Sequence, residues 1–169
     1  TALKWIAERG YESCLDLCTG SGCVAIAIAK LGKIAVTATD ISRDALSLAQ
    51  ENAELNEVEI TRKLSDLFTD VSGTYDLITC NPPYLSRADM EALQKEVSFE
   101  PELALFGGED GLDFYRSIAK TYREYLNKDG VLLLEIGNTQ ANAVAALFDA
   151  KTSILRDLGG NDRVLVVEQ

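Results

Sequence analysis

Short apolar runs alternate along this chain with longer stretches whose apolar residues recur at three- and four-residue steps. Strands buried on both faces read as continuous apolar runs, while the helices that cover them are apolar on one stripe only, so this alternation predicts a parallel sheet between helices. Ser13–Leu17 is the first such run; residues 24–31 form an Ala/Ile-rich helix after a glycine turn, and residues 33–39 form a β-branched strand ending at Asp40. Ser42 stands where an N-cap belongs, and Ala45, Ala49 and Ala53 share one face of the helix after it, which suits close packing on a sheet. Strands are expected at 58–64 and at Tyr75–Cys80. Leu112, Tyr115, Ile118, Ala119, Tyr122 and Leu126 mark an amphipathic helix, 127–130 a turn, and 131–136 the fifth strand. A helix near 139–148 and strands at 153–158 and 163–168 complete the pattern. Residues 159–162 are too few for a parallel crossover, which needs about a dozen or more, so the last two strands should be antiparallel. The prediction is an α/β fold: a seven-stranded, mostly parallel sheet with an antiparallel last strand and helices on both faces.

The connection at 85–110 is long for a compact domain and contains Pro101, Gly107-Gly108 and, just beyond, Gly111. Long connections of this kind usually carry function. The 169 residues, 47% of them apolar, suit one domain spanning 1–169. Residues 1–9 read as the end of a helix with nothing ahead of it, so a longer parent protein is expected. The net charge of −11 comes without any Lys/Arg cluster, which argues against direct nucleic-acid binding. No run of about eighteen apolar residues and no basic start leading into an apolar core is present, so the expectation is a cytoplasmic protein without a membrane partner. Cys14, Cys18, Cys23 and Cys80 match no zinc spacing and the chain has no histidine, so no metal site is expected and the cysteines read as small buried thiols. Catalysis must then proceed without the commonest general base. Oligomeric state leaves no mark on the sequence.

Three groups of residues carry candidate chemistry. Asn81-Pro82-Pro83-Tyr84 follows the fourth strand and places an amide, an exposed carbonyl and an aromatic ring at its carboxyl end. Pro82 ends the strand and holds Asn81 extended, which stiffens the loop. A planar amide or aromatic amine is a poor nucleophile because its lone pair is delocalised, as the peptide rotation barrier of roughly 18–20 kcal/mol shows. The Asn81 side-chain oxygen and the Pro82 carbonyl would accept the two N–H groups of such a nitrogen and turn its lone pair toward an electrophile, with Tyr84 stacked on the flat group. In Asp16-Leu17-Cys18-Thr19-Gly20-Ser21-Gly22 a strand passes through glycines into a helix, which brings backbone amides close to a ligand. Gly20, Gly22 and Ala25, with Asp40 further on, also satisfy a dinucleotide fingerprint, so a nicotinamide oxidoreductase remains open, as does a cofactor-binding domain without catalysis. Asp40 and Asp66 close strands two and three at the end where open α/β sheets bind ligands, and Asp16 lies where an amino group would suit it.

With these residues in view, the chain resembles the class I, Rossmann-like S-adenosylmethionine-dependent methyltransferases, and more closely the release-factor glutamine methyltransferase family. The resemblance runs through Leu15-Asp16-Leu17-Cys18-Thr19-Gly20-Ser21-Gly22-Cys23, Thr39-Asp40-Ile41-Ser42, Asp44-Ala45-Leu46, Tyr75-Asp76-Leu77-Ile78 and Asn81-Pro82-Pro83-Tyr84. It continues in the segment from Glu100-Pro101-Glu102 to Leu105, in Gly107-Gly108-Glu109-Asp110-Gly111 and on to Tyr115, in Leu134-Glu135-Ile136-Gly137 and in Asp162-Arg163-Val164. The tetrad alone would also suit enzymes acting on an adenine amine, and a ribosomal target is a further alternative; the Glu-Pro and Gly-Gly-x-Asp-Gly segments point to the glutamine family. The resemblance implies S-adenosyl-L-methionine as cofactor, S-adenosyl-L-homocysteine as product, and the Gly-Gly-Gln glutamine of a peptide chain release factor as substrate. It implies that Cys18, Thr19, Gly20, Ser21 and Gly22 hold the methionine part, that Asp40 binds the ribose, and that Asp66 and Leu67 flank the adenine. Asp16, Ile41 and Asn81 complete the implied cofactor set, and Asn81, Pro82, Pro83 and Tyr84 would hold the glutamine. Two departures from the family are expected: Cys18 replaces a glycine common in it, and the family's amino-terminal helical substrate-binding domain and the Arg-Pro-x-Thr-Glu segment preceding this core are absent from the chain.

Overall fold

The computed structural model describes residues 1–92 and 101–169. Among them seven strands form one sheet: β1 (Ser13–Leu17), β2 (Ala35–Asp40), β3 (Thr61–Leu64), β4 (Tyr75–Cys80), β5 (Leu126–Glu135), β6 (Lys151–Arg156) and β7 (Asp162–Glu168). Their order is β3-β2-β1-β4-β5-β7-β6. The first five run parallel to one another, and β7 lies antiparallel between β5 and β6; for β6 and β7 the short connection at 157–161 requires it.

Side chains alternate between the faces of a strand, and this period sorts the apolar runs into two cores. Leu15, Leu17, Ile78, Leu132 and Leu134 face one side, against Tyr115 and Ile118 of α6 (Asp113–Thr121) and Val144 of α7 (Ala141–Ala145). Cys14, Leu77, Val131 and Leu133 face the other, with Val36 and Ala38, against Ile6 of α1 (Ala2–Arg9) and Ala25 of α2 (Cys23–Ala27). Helices therefore cover both faces, as expected from runs apolar at every position. Ser42 caps α3 (Arg43–Leu55) by accepting the Ala45 N–H at 3.2 Å, and Ala49 and Ala53 are buried on its inner face. Such a cap stabilises a helix by about 1 kcal/mol.

Several boundaries differ from the sequence reading, each for a local reason. The helix expected at 24–31 is α-helical only over Cys23–Ala27 and continues as a π-helical turn, Ile28–Gly32. β2 starts at Ala35 rather than 33, because Lys33 adopts a left-handed φ of 55° that no strand accommodates. β3 is shortened to Thr61–Leu64: Glu57 has φ 57° and the Val58 N–H closes the end of α3 on the Ala53 carbonyl. The expected helix from 112 to 126 ends at Thr121, continues as a 3-10 turn, Tyr122–Glu124, and gives way to β5 at Leu126. The turn expected at 127–130 is an irregularity inside β5, where Asp129 has φ 64° and the register shifts against β4 between Tyr75 and Leu77. The helix expected at 139–148 is confined to Ala141–Ala145. β6 begins at Lys151, two residues earlier than expected, because 157–161 forms the turn, with Gly160 at φ 83°. Of the cysteines, Cys14 and Cys80 are buried, Cys18 is half-buried and Cys23 is exposed, so the buried reading fails for Cys23.

Residues 85–92 and 101–112 are not a structureless loop. Ser86 and Asp89 form a capping box at the start of α4 (Arg87–Glu91), and α5 (Glu102–Leu105) follows Pro101. Glu100 and its neighbours from 93 lie outside the described residues.

Candidate active site

The sheet order places the chain reversal between β1 and β4. From β1 the chain moves outward through β2 to β3, then returns to β4 on the other side, which opens a crevice at the carboxyl ends of β1 and β4. Leu17 and Cys80 are register partners, so the glycine loop and the Asn81 tetrad leave the sheet side by side. Asp40 pairs with Leu64 at the ends of β2 and β3, and Cys80 pairs with Leu134 toward the end of β5. One edge of the sheet thus presents, in order, Asp66, Asp40, the 18–22 loop, the tetrad and the 137–140 loop. The glycine loop, Asp40, Asp66 and the tetrad, singled out separately in the sequence, lie along this row.

The glycine loop is held from beneath. Asp16 is buried, with Oδ2 accepting from Thr19 Oγ1 at 2.7 Å and Oδ1 from Thr79 Oγ1 at 2.6 Å, and the Ala25 N–H of α2 also donates to this carboxylate. Burial pushes the Asp16 carboxyl up to about 6, against the pull of these three donors. The sequence gives Asp16 to an amino group; in the fold its oxygens face Thr19, Thr79 and the start of α2. Thr79 is a member of this network that sequence reasoning missed, although a threonine inside an apolar strand is a visible signal.

Asp40 organises the next corner. Its Oδ2 accepts the Gly20 N–H and its Oδ1 the Ser42 N–H, both at 2.9 Å, so one half-buried carboxylate joins the glycine loop to the start of α3. Cys18, Gly20 and Gly22 have φ of 53°, 55° and 79°. A Cβ built on Gly20 would meet nothing within 4 Å, whereas one on Gly22 would lie 2.9 Å from Ala49 Cβ. Gly22 thus serves helix packing, and Gly20 leaves open the side of the loop where a ligand approaches. Thr19 and Gly22 are buried, Ser21 half-buried, and Ile41 and Asp66 exposed; Leu67, half-buried, has φ 47°. Cys18 adopts the left-handed backbone that its replaced glycine would favour, and its thiol meets that of Cys80, whose own thiol is pushed up by burial.

In the tetrad Asn81 is exposed, Pro82 and Pro83 are buried, and Tyr84 is half-buried. The connection beyond returns to brace it: Leu85 donates to the Leu105 carbonyl and accepts the Gly107 N–H, each at 2.9 Å, forming a parallel bridge with Phe106. Arg87 pairs with Glu109 at 2.9 Å and lies over the Phe106 ring at 4.6 Å, closing the same connection on its outer side. Among the described residues no cluster of histidine, cysteine or carboxylate side chains is arranged to hold a metal ion.

Comparison with known proteins gives the family of the chain. The family model described as methyltransferase small domain matches residues 3–98. The chain belongs to the methyltransferase small domain family. The chain is 45% identical over 163 residues to a release factor glutamine methyltransferase of Streptococcus pneumoniae, covering 92% of this chain and 58% of that protein. It is 43% identical over 146 residues to a ribosomal protein uL3 glutamine methyltransferase of Xanthomonas campestris, covering 85% of this chain and 47% of that one. The chain therefore spans about half the length of the curated relatives it matches. Among solved structures, a methyltransferase from Pyrococcus furiosus superposes with a TM-score of 0.73 at 19% identity over 98% of this chain and 80% of that one, a likeness of fold. The fold is that of the class I methyltransferases.

Among the described residues no helix is long and apolar enough to cross a membrane.

Proposed function

We propose that the chain is the catalytic domain of an S-adenosyl-L-methionine-dependent enzyme that methylates the side-chain amide of a protein glutamine, the Gly-Gly-Gln glutamine of a peptide chain release factor. The observation that carries this reading is the register of Leu17 with Cys80, which sets the open glycine loop beside the exposed Asn81. The residues present fit the cofactor: the loop is open at Gly20, and the Asp40 carboxylate stands at the end of β2 where it can accept a ribose diol. In this reading Cys18, Thr19, Gly20, Ser21 and Gly22 hold the methionine part, with Asp16 beneath them, and Asp40, Ile41, Asp66 and Leu67 hold the nucleoside.

The bound cofactor supplies a methyl group on a sulfonium, an electrophile whose leaving group needs no acid. The protein supplies position. Asn81 Oδ1 and the Pro82 carbonyl accept the two N–H groups of the glutamine amide and turn its nitrogen toward the cofactor side of the crevice, while the Tyr84 ring covers the amide plane and excludes water. Alignment of two reactants in this way accounts for many orders of magnitude in rate. The N-methylated amide loses its proton to water, so the absence of histidine is no obstacle.

Relatives named for ribosomal protein uL3, at 43% and 42% identity, favour a second substrate of the same chemistry. The test is mass spectrometry of a release factor and of uL3, each incubated with the chain and S-adenosylmethionine. A methyl group on the Gly-Gly-Gln glutamine supports the proposal, and one on uL3 alone moves the substrate. Binding of NAD with no S-adenosylmethionine binding would end the methyltransferase reading. Asn81→Ala is expected to abolish most turnover when assayed at saturating S-adenosylmethionine; near-normal turnover with the cofactor bound normally would refute the two-acceptor model.

A further inference from the structure

Three backbone segments meet at one neutral side chain. Gln140, in the 137–140 loop beyond β5, donates through Nε2 to the Tyr84 carbonyl at 2.9 Å and to the Gly111 carbonyl at 3.4 Å. Its Oε1 accepts the Gly137 N–H at 3.0 Å. The Gln140 backbone is itself fixed: its N–H donates to the Gly137 carbonyl at 3.0 Å, and its carbonyl accepts the Val144 N–H at 2.9 Å as α7 begins. A side-chain amide seated on a tight turn at the end of a central strand therefore grips the end of the tetrad and the end of the glycine-rich connection together.

The glycines around it show how close this junction is. A Cβ on Gly111, which has φ +74°, would lie 2.4 Å from the Tyr84 carbonyl oxygen and 2.7 Å from Gln140 Nε2. One on Gly107 would lie 2.7 Å from the Pro83 carbonyl oxygen, and one on Gly137 2.8 Å from Gln140 Oε1. Gly107 and Gly111 are laid against Pro83 and Tyr84 with no room for a Cβ, and one on Gly108 would run into the Asp113 carboxylate, which explains the three glycines of the Gly-Gly-x-Asp-Gly pattern physically.

We infer that Gln140 is a positioning residue for the acceptor amide: by holding the Tyr84 carbonyl it fixes the direction of the Pro82 carbonyl and the Asn81 side chain just upstream. The inference rests on the methyl-transfer reading given above. Among the described residues Gln140 bonds neither the 18–22 loop nor Asp40, so its loss is expected to spare cofactor binding. A misplacement of about 1 Å at a reacting group lowers a rate by about a hundredfold.

Two variants test it. Gln140→Leu removes both donors and the acceptor. Gln140→Glu keeps the shape and the acceptor for Gly137, but sets a carboxylate against two carbonyl oxygens; once protonated, it donates again to Tyr84. For Gln140→Leu the expected result is a kcat on a Gly-Gly-Gln release factor about ten- to a hundredfold lower at every pH, with the Kd for S-adenosylmethionine within about twofold. Gln140→Glu should lose as much near about pH 8 and recover as the pH falls, a titration absent from the parent chain and from Gln140→Leu. Hydrogen exchange at the Leu85 and Gly107 amides, which the brace protects, should speed by about tenfold in Gln140→Leu. A kcat within about twofold of the parent, a flat Gln140→Glu profile, or a large fall in cofactor affinity would overturn the inference. If the parent chain methylates no glutamine, the methyl-transfer reading fails separately; unchanged exchange at Leu85 and Gly107 then overturns the brace, and faster exchange sustains it.

Discussion

Asp16 offers the sharpest physical test of the site, because a buried carboxylate beneath the glycine loop must leave a signature in the pH dependence of stability. Burial carries its carboxyl from 3.8 to about 6, despite hydrogen bonds from Thr79, Thr19 and the Ala25 N–H. A displacement of that size corresponds to roughly 3 kcal/mol of preference for the neutral form in the folded state. The folded chain binds this proton more tightly than the unfolded chain, so the associated stability is fully present below about pH 3.8 and is lost as the pH rises through about 6. Asp76, Asp89, Asp110 and Asp157 act in the opposite sense: all are held below the usual carboxylate range, Asp76 against the effect of its burial. Their contribution is present above that range and lost in acid.

Asp16→Asn separates the two effects, since the other carboxylates are common to both chains. Asparagine keeps the size of the neutral acid and an acceptor for one of the threonine hydroxyls. From urea unfolding of both proteins, the stability of Asp16→Asn relative to the parent should grow by about 2 kcal/mol between about pH 4.5 and 7.5, the share of the roughly 3 kcal/mol that falls in that interval. A relative stability independent of pH would refute a raised Asp16. Under the proposed function, a cationic amino group bound near Asp16 favours its ionised form, so S-adenosylmethionine affinity should rise as the pH increases through about 6 in the parent and stay flat in Asp16→Asn.

Further outcomes follow from neighbouring positions. Gly22→Ala sets a Cβ 2.9 Å from Ala49 at a φ of +79° and should destabilise the fold by about 1–3 kcal/mol in thermal or urea denaturation; an unchanged midpoint would mean α2 and α3 separate freely. Asp40→Ala removes the acceptor of both the Gly20 and Ser42 N–H groups and should weaken S-adenosylmethionine binding at least about tenfold by calorimetry; unchanged affinity would refute its role. In the native protein a thiol-specific alkylating reagent should label exposed Cys23 first and reach buried Cys14 and Cys80 only on unfolding, as peptide mass mapping would show.

What the sequence revealed follows from which interactions are local. β1 and β4 carry the expected bounds because each is a short, mainly apolar run buried on both faces, as a central strand of a covered sheet is. Ser42 and Ala49 were legible because a cap and a helix face are set within a few residues. The missed boundaries sit where distant packing overrides local pattern: Tyr122 and Leu126 continue a helical period, yet one is buried by a 3-10 turn and the other by the start of β5. At the site, chain reversal brings the glycine loop and the tetrad together; the alternation implied a parallel sheet, but the strand order that joins them came from the structure. The contacts that stiffen the site were not legible. Thr79 lies 63 residues from Asp16 and Gln140 lies 56 from Tyr84, and a lone polar side chain at such a distance has no period or spacing to announce it. The glycines at this junction were the available signal: a Cβ on Gly107 or Gly111 would run into the tetrad, and one on Gly111 or Gly137 into the Gln140 side chain. A glycine cluster inside a long connection is here the mark of a tight junction, and the residues able to fasten such a junction are the polar ones next to it.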